Sequence, residues 1–236
     1  LNSTVPTSMG LWESKREWSA LLATERHALS VLLGAFVALV SASGCTVSGT
    51  AVSEGPAASH SASRAPEVRQ RDDAGRLLPF KTVFPNRWSQ NNDGTTYEPC
   101  TYVTEPVLMK MGLDPKSAKD AAVADHQTVR GCDWRFTNSE SSSLSQSVGN
   151  LAGAGVADLD GYKAEFDDFR WFPDQLVDGR TVATFSLGTD HCATLIVSGR
   201  ALVMTAVWLG QHDPDVSENC GLAFAFTRAT INKIPR

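Results

Sequence analysis

The sequence predicts an α+β domain: an antiparallel sheet with a few packed helices, stapled by disulfides, behind a signal peptide and a flexible tether. Three observations predict it. The apolar runs 181–187, 192–197 and 202–209 are separated only by the turn clusters Gly188-Thr189-Asp190 and Ser198-Gly199-Arg200, so they read as successive strands rather than as βαβ units. Cys132, Trp134 and Phe136 alternate within 129–137, the period of a half-buried strand. Residues 217–234 carry Leu222, Phe226, Ala229 and Ile234 as an apolar stripe with Pro235 beyond its end, which is a helix pattern.

The N-terminal part is read as export apparatus. Arg26 and His27 precede an apolar run over 28–40, then Ser41-Ala42-Ser43-Gly44 and Cys45. A cationic region, a short apolar core and a small-residue site make a secretory signal peptide. The run falls short of the roughly 20 residues an apolar helix needs to cross a bilayer. Ala42-Ser43-Gly44-Cys45 resembles the bacterial lipobox, with Ala42 where such signals usually carry Leu. The resemblance implies cleavage before Cys45 and lipid on its thiol. Two or three acyl chains anchor stably, because each buried CH₂ contributes about 0.8 kcal/mol. Residues 1–44 are thus expected to be the signal peptide with a non-structural lead, starting at Met9 or at an upstream non-Met codon.

Residues 45–76 are rich in Ala, Ser, Gly and Pro without hydrophobic periodicity, and are expected to be the lipidated cysteine and its tether. Some 30 flexible residues reach roughly 30 Å. Residues 77–236 are expected to form one extracytoplasmic domain. Within it, Thr104 as N-cap, Pro106 in the first turn and Gly112 as terminator predict a short helix. Residues 144–148 are expected to pair with the 129–137 strand as a hairpin. Leu159, Tyr162 and Phe166 have helical spacing within 158–168.

Of the five cysteines, four lie beyond Cys45: Cys100, Cys132, Cys192 and Cys220. An even number in an exported chain predicts two disulfides, for which sequence alone permits three connectivities. The expected pairing is Cys100–Cys132 and Cys192–Cys220, each closing a loop of about 30 residues worth roughly 3–4 kcal/mol. No Cys-x-x-Cys pair is present to seed a zinc site.

A wider resemblance rests on Tyr97-Glu98-Pro99-Cys100-Thr101, Leu108, Met111-Gly112-Leu113-Asp114-Pro115, Gly131-Cys132-Asp133-Trp134 and Asn219-Cys220-Gly221-Leu222-Ala223. With the lipobox and its Cys-Thr-Val-Ser-Gly-Thr-Ala continuation, the chain resembles the domain of unknown function 3558 family. Those are lipoproteins of mycobacteria and related actinobacteria. The resemblance implies an exported, tethered, disulfide-bonded domain and no established activity.

No catalytic set emerges. The 21 basic and 26 acidic residues give a net charge of −5, and no basic stripe suits nucleic acid. Gly-x-Ser-x-Gly, a Walker-type loop and GxGxxG are all missing from the sequence. Asp158-Leu159-Asp160-Gly161 begins like a calcium loop, but Tyr162 and Phe166 interrupt the ligand series; acids at a helix N-terminus explain the pair. Asp167, Asp168 and Asp174 flank Arg170-Trp171-Phe172-Pro173 in what reads as an exposed turn. His191 beside Cys192 is no thiol–base pair, since neighbours on a strand point to opposite faces. His212-Asp213-Pro214-Asp215 reads as a polar loop.

Trp134 and Trp208 are expected in the core, and Trp171 with Phe172 as a ligand or partner contact. No catalytic residue, metal ligand or cofactor is expected. The expected role is non-catalytic: a lipid-anchored protein on the outer face of the plasma membrane that binds a small ligand, a lipid or glycan, or an envelope protein. The alternatives are an envelope hydrolase using Asp167, Asp168 or His191, and a sensory domain acting on a membrane protein.

Overall fold

A seven-stranded antiparallel sheet organises the computed structural model, which describes residues 67–210 and 215–236. Its strands are β1 (Lys119–Asp120), β2 (Val129–Phe136), β3 (Ser139–Asn150), β4 (Arg170–Val177), β5 (Arg180–Ser186), β6 (His191–Ser198) and β7 (Ala201–Trp208). The spatial order is β1-β2-β3-β7-β6-β5-β4. Thus the meander β4 to β7 folds back so that its last strand pairs with the β2–β3 hairpin. Among the described residues four α-helices accompany the sheet: α1 (Pro99–Tyr102), α2 (Glu105–Lys110), α3 (Leu159–Glu165) and α4 (Val216–Thr230). The predicted α+β class holds, and so do the three consecutive strands, the hairpin and the C-terminal helix.

The turns follow from local chemistry. Ser198 pairs with Ala201 around Gly199-Arg200, with Gly199 at φ +59°; a hairpin with positive φ at its first central position favours glycine there. The β4–β5 turn, Asp178-Gly179, has φ of +50° and +73°, the Asp-Gly turn whose twist matches the flanking strands.

Strand alternation gives the sheet two faces. Trp134, Leu144, Gln146, Thr205, Val207, Thr194 and Ile196 face α4, where Trp134 and Phe226 sit with ring centroids 5.8 Å apart. Polar contacts set the register of that helix. Gln146 Nε2 donates to Thr205 Oγ1 (3.0 Å) and to Thr230 Oγ1 (3.1 Å), while the Thr227 hydroxyl bonds Thr194 (2.6 Å) and Thr205 (2.9 Å). The opposite face packs Leu195, Leu202 and Met204 with Leu159, Tyr162 and Phe166, which come from α3 and its C-cap.

Four expectations are corrected. The folded unit takes in residues from Glu67 onward, not from 77: Arg71 bridges Leu77, and the buried Asp72 carboxylate accepts from the Ala74 and Arg76 amides at 2.9 Å. Residues 170–174 form the start of edge strand β4 rather than a turn. Pro173 sits where the register shifts between Phe172 and Gln175, and an edge-strand bulge tolerates a residue without an N–H. Trp208, the last residue of β7, is 44% exposed rather than core. The fourth concerns the disulfides. Cys192 and Cys220 are bonded, joining β6 to the first turns of α4, whereas Cys100 and Cys132 are free buried thiols. Cys100 Sγ is directed at the Gly131 carbonyl, 3.0 Å away.

The signal peptide, Cys45, the tether up to residue 66 and the His212-Asp213-Pro214 part of the polar loop lie outside the described residues.

Candidate functional site

Three groups of side chains stand apart from ordinary apolar packing. The first lies on the α4 face near β2. Arg87, Glu98 and Arg130 are all buried. Arg87 donates to Glu98 through Nη1 (2.8 Å) and Nη2 (3.1 Å), and through Nε to both oxygens of Asp120 (2.9 Å). Arg130 donates to Glu98 Oε2 (2.9 Å) and to the carbonyls of Tyr97 (2.7 Å), Thr95 (2.9 Å) and Asn92 (3.2 Å). Burial alone would raise the Glu98 pKa, but the Arg87 hydrogen bonds and the Arg130 and Arg87 charges outweigh it and hold the carboxyl below its usual range. Every charge has a partner, so this cluster clamps the loop over 87–98 to β2.

Beside it sit Cys100 and Cys132. Burial pushes both thiols up, and for Cys100 the neighbouring Cys132 adds to that. Protonated, buried thiols are poor nucleophiles.

The second group lines two surface grooves, of about 550 Å³ and 430 Å³. The larger is bordered by Asp158, Asp160, Asp174, Arg180 and Arg236. Four of these five charged groups are already engaged: Asp158 caps α3 through the Gly161 amide (2.8 Å), Asp174 pairs with Lys163 (2.6 Å), Arg180 donates to the carbonyls of Ile234 (2.6 Å), Val197 and Pro235, and Arg236 donates to the Asp178 carbonyl (3.1 Å). The Asp158 cap explains the acidic pair as the helix reading expected. In the smaller groove Asn150 accepts from Gly94 and donates to the Gln90 carbonyl and to Asp93.

The third group is the sheet face opposite α4. Phe169, Trp171 and Phe185 pack together with centroids 4.9 to 6.4 Å apart. Trp171 spends its indole N–H on the Phe166 carbonyl (2.9 Å). Phe172, the next residue on β4, lies on the other face with the Arg170 guanidinium 5.1 Å above its ring. Trp171 and Phe172 therefore do not form one contact patch. The first is a wall of the aromatic cluster and the second a half-buried edge residue.

Beyond that cluster, at the end of the sheet, stands His191. Its ring is 6.2 Å from Phe185 and 6.1 Å from Trp208, and the residue is 5% exposed. Neither Nδ1 nor Nε2 has a hydrogen-bond partner among the described residues. Burial lowers its pKa to about 4, against a small opposing effect of Asp190, so the imidazole is neutral near pH 7. Buried polar atoms are paired as a rule, and an unpaired one calls for an explanation. The Oδ1 of Asn219, in the first turns of α4, is unpaired as well, while its Nδ2 donates to the Thr189 carbonyl just ahead of β6 (3.0 Å).

Register places more polar side chains on this face. His191 is opposite Trp208, Trp208 opposite Ser143, and Ser143 opposite Arg135; in the next row Ala206 is opposite Ser145, and Ser145 opposite Asp133. Burial raises the Asp133 pKa to about 6, helped by the nearby Asp120 charge. His191 and Ser143 are two strand spacings apart, about 10 Å, beyond the reach a nucleophile and its base require. Asp167 and Asp168, the other residues of the hydrolase alternative, lie exposed in the turn after α3. Among the described residues no three His, Cys, Asp or Glu side chains are grouped to hold a metal, and no helix is long and apolar enough to cross a membrane.

Sheet, helices and staple define an α+β domain with one antiparallel sheet, one disulfide and a face that α3 covers at one end. Over residues 40–233 the chain matches the family described as protein of unknown function (DUF3558), and it belongs to that family. No curated protein and no solved structure matches the chain.

Proposed function

We propose that the protein is a lipid-anchored lipoprotein of the cell envelope that holds a small ligand, without transforming it, on the sheet face around His191. The observation that carries the binding role is the imidazole whose two nitrogens are buried and unpaired. Leaving a buried polar group unmatched costs about 1–3 kcal/mol, and a ligand that supplies the missing partners removes that cost. The half-exposed Trp208 ring gives the same place an apolar contact surface. The anchoring role is supported by the sequence alone: the apolar run over 28–40, the Ala42-Ser43-Gly44-Cys45 string and the Ser/Ala/Pro-rich stretch that follows.

Native against denaturing mass spectrometry of the protein isolated unreduced from an exporting host tests the binding role. Extra mass that survives gentle ionisation, vanishes on denaturation and is lost in His191→Phe is expected; a bare protein incubated with envelope extract would refute it. For the anchor, Cys45→Ala should release the protein to the medium or leave it unprocessed. A mature-sized variant that stays with the membrane would refute lipidation.

A further inference from the structure

We infer that the row of Ser143, Trp208 and His191 is a saccharide platform, in which the indole stacks on the apolar face of a sugar ring while the polar groups on either side bond its hydroxyls. The inference rests on the binding reading above and names the ligand class for the same site.

The geometry comes from the strands. Ser143, Trp208 and His191 are consecutive cross-strand neighbours on β3, β7 and β6. Two strand spacings, about 10 Å, separate the outer two, a distance comparable with the length of a disaccharide. The central residue is the large aromatic one, 44% exposed. Ser143 and the adjacent Ser145 are half-buried on the same face, and neither hydroxyl bonds another described group. On β2 the row continues with the exposed Arg135 opposite Ser143 and the half-buried Asp133 opposite Ser145. An aromatic ring flanked by hydroxyls, a carboxylate and a guanidinium is what a pyranose needs: carbon-bound hydrogens below it and hydroxyls around its rim.

His191 narrows the chemistry. A neutral imidazole has one donor and one acceptor, and a hydroxyl group answers both. A phosphodiester and a carboxylate accept only and leave one nitrogen unmet, and an acyl chain leaves both. The two nitrogens are closed off from solvent and the Trp208 ring lies 6.1 Å from the imidazole, so the platform requires Trp208 to move outward as a hydroxyl enters. Its exposure gives it room, and Ala206, two residues earlier on the same face, leaves the floor beside it shallow. The Ser-rich run of β3 thereby finds a use: serines stand where an apolar face would carry Val or Ile.

The test is a printed array of neutral plant, fungal and bacterial-wall glycans probed with the full chain from an exporting host, then calorimetry with the best-bound free oligosaccharide. Saccharide binding is expected, weakened at least tenfold by Trp208→Ala and by His191→Phe and several-fold by Ser143→Ala. Trp208 is half-exposed, so its variant should keep the parent's thermal midpoint and remain interpretable if His191→Phe folds poorly. Array binding that Trp208→Ala and Ser143→Ala leave unchanged would overturn the platform. No saccharide bound, with palmitate bound and lost in His191→Phe, would overturn the saccharide class and leave the binding face standing. A bare protein that takes up none of these probes would overturn both.

Discussion

Arg87 and Glu98 meet as a two-pronged pair inside the protein, Nη1 to Oε2 at 2.8 Å and Nη2 to Oε1 at 3.1 Å, with neither side chain more than 1% exposed. The same Oε2 also accepts from Arg130 at 2.9 Å. One carboxylate thus balances two guanidiniums, and Asp120 takes the remaining face of Arg87. Glu98→Ala leaves two buried cations facing each other, so the expected loss is about 3–5 kcal/mol. Equilibrium urea unfolding measures it, and a loss under 1 kcal/mol would show that the cluster does not hold the 87–98 loop to β2.

The cysteines make a second prediction. Cys192–Cys220 closes a loop of 28 residues, and removing it should cost about 3–4 kcal/mol on the chain-entropy account. Cys100 and Cys132 are buried thiols. In the unreduced native protein neither should react with a maleimide. After denaturation without reductant both should be labelled, and Cys192 and Cys220 should not. Peptide mapping reads each site, and protected Cys100 and Cys132 after denaturation would show a second bridge.

A third prediction concerns pH. The folded-state pKa of His191 is lowered to about 4 by burial, from 6.5. Between these values the unfolded chain holds the proton and the folded one does not. Stability is therefore full above about pH 6.5 and falls as pH drops toward 4, by up to about 3 kcal/mol. Asp133 acts in the opposite sense. Burial raises its folded pKa from 3.8 to about 6, so its stabilising contribution is present below pH 3.8 and lost as pH rises through 6; being half-buried, it contributes less. Glu98 and Asp72, held low, add losses below about pH 5 that His191 variants share. His191→Phe should gain stability relative to the parent as pH falls from 7 to 4.5, and Asp133→Asn should show a steeper acid loss than the parent. Parallel unfolding midpoints across that window would refute the burial of His191.

The elements legible in the sequence were those with one dominant period. β5, β6 and β7 are apolar runs bounded by turn clusters, and α4 shows in Leu222 and Phe226, whereas Ala229 of the expected stripe is exposed and Ile234 lies past the helix end at Thr230. β4 was hidden because Pro173 and the acids around it read as a turn. Yet Val177-Asp178-Gly179-Arg180 carries the Asp-Gly hairpin signal, which requires a strand on each side. β1 has two residues and α1 has four, too short to show a period. The buried ion pairs were not legible either, since Glu98 lies 11 residues from Arg87 and 32 from Arg130, and only the fold brings them together. In the sequence His191 shows only as the neighbour of Cys192. Its significance depends on Trp208 and Phe185 as neighbours, and strand register decides that.

The edge strand supplies the last prediction. β4 is the sheet's outer strand at one end, and it exposes Leu176 at 76%. A long apolar edge invites pairing with another chain. Pro173 interrupts it by removing one N–H at the bulge where Phe172 and Gln175 lose continuous register with β5. Pro173→Val restores a donor and adds β-branching beside Phe172, so it should flatten the edge and promote strand-to-strand association between copies. Sedimentation velocity over a rising concentration series should show a larger dimer fraction for the variant than for the parent. Leu176→Lys placed in the same chain should reverse it, because a charge on an edge opposes pairing. Identical sedimentation of parent and Pro173→Val across the series would mean that the bulge, not the missing N–H, is what keeps the edge closed.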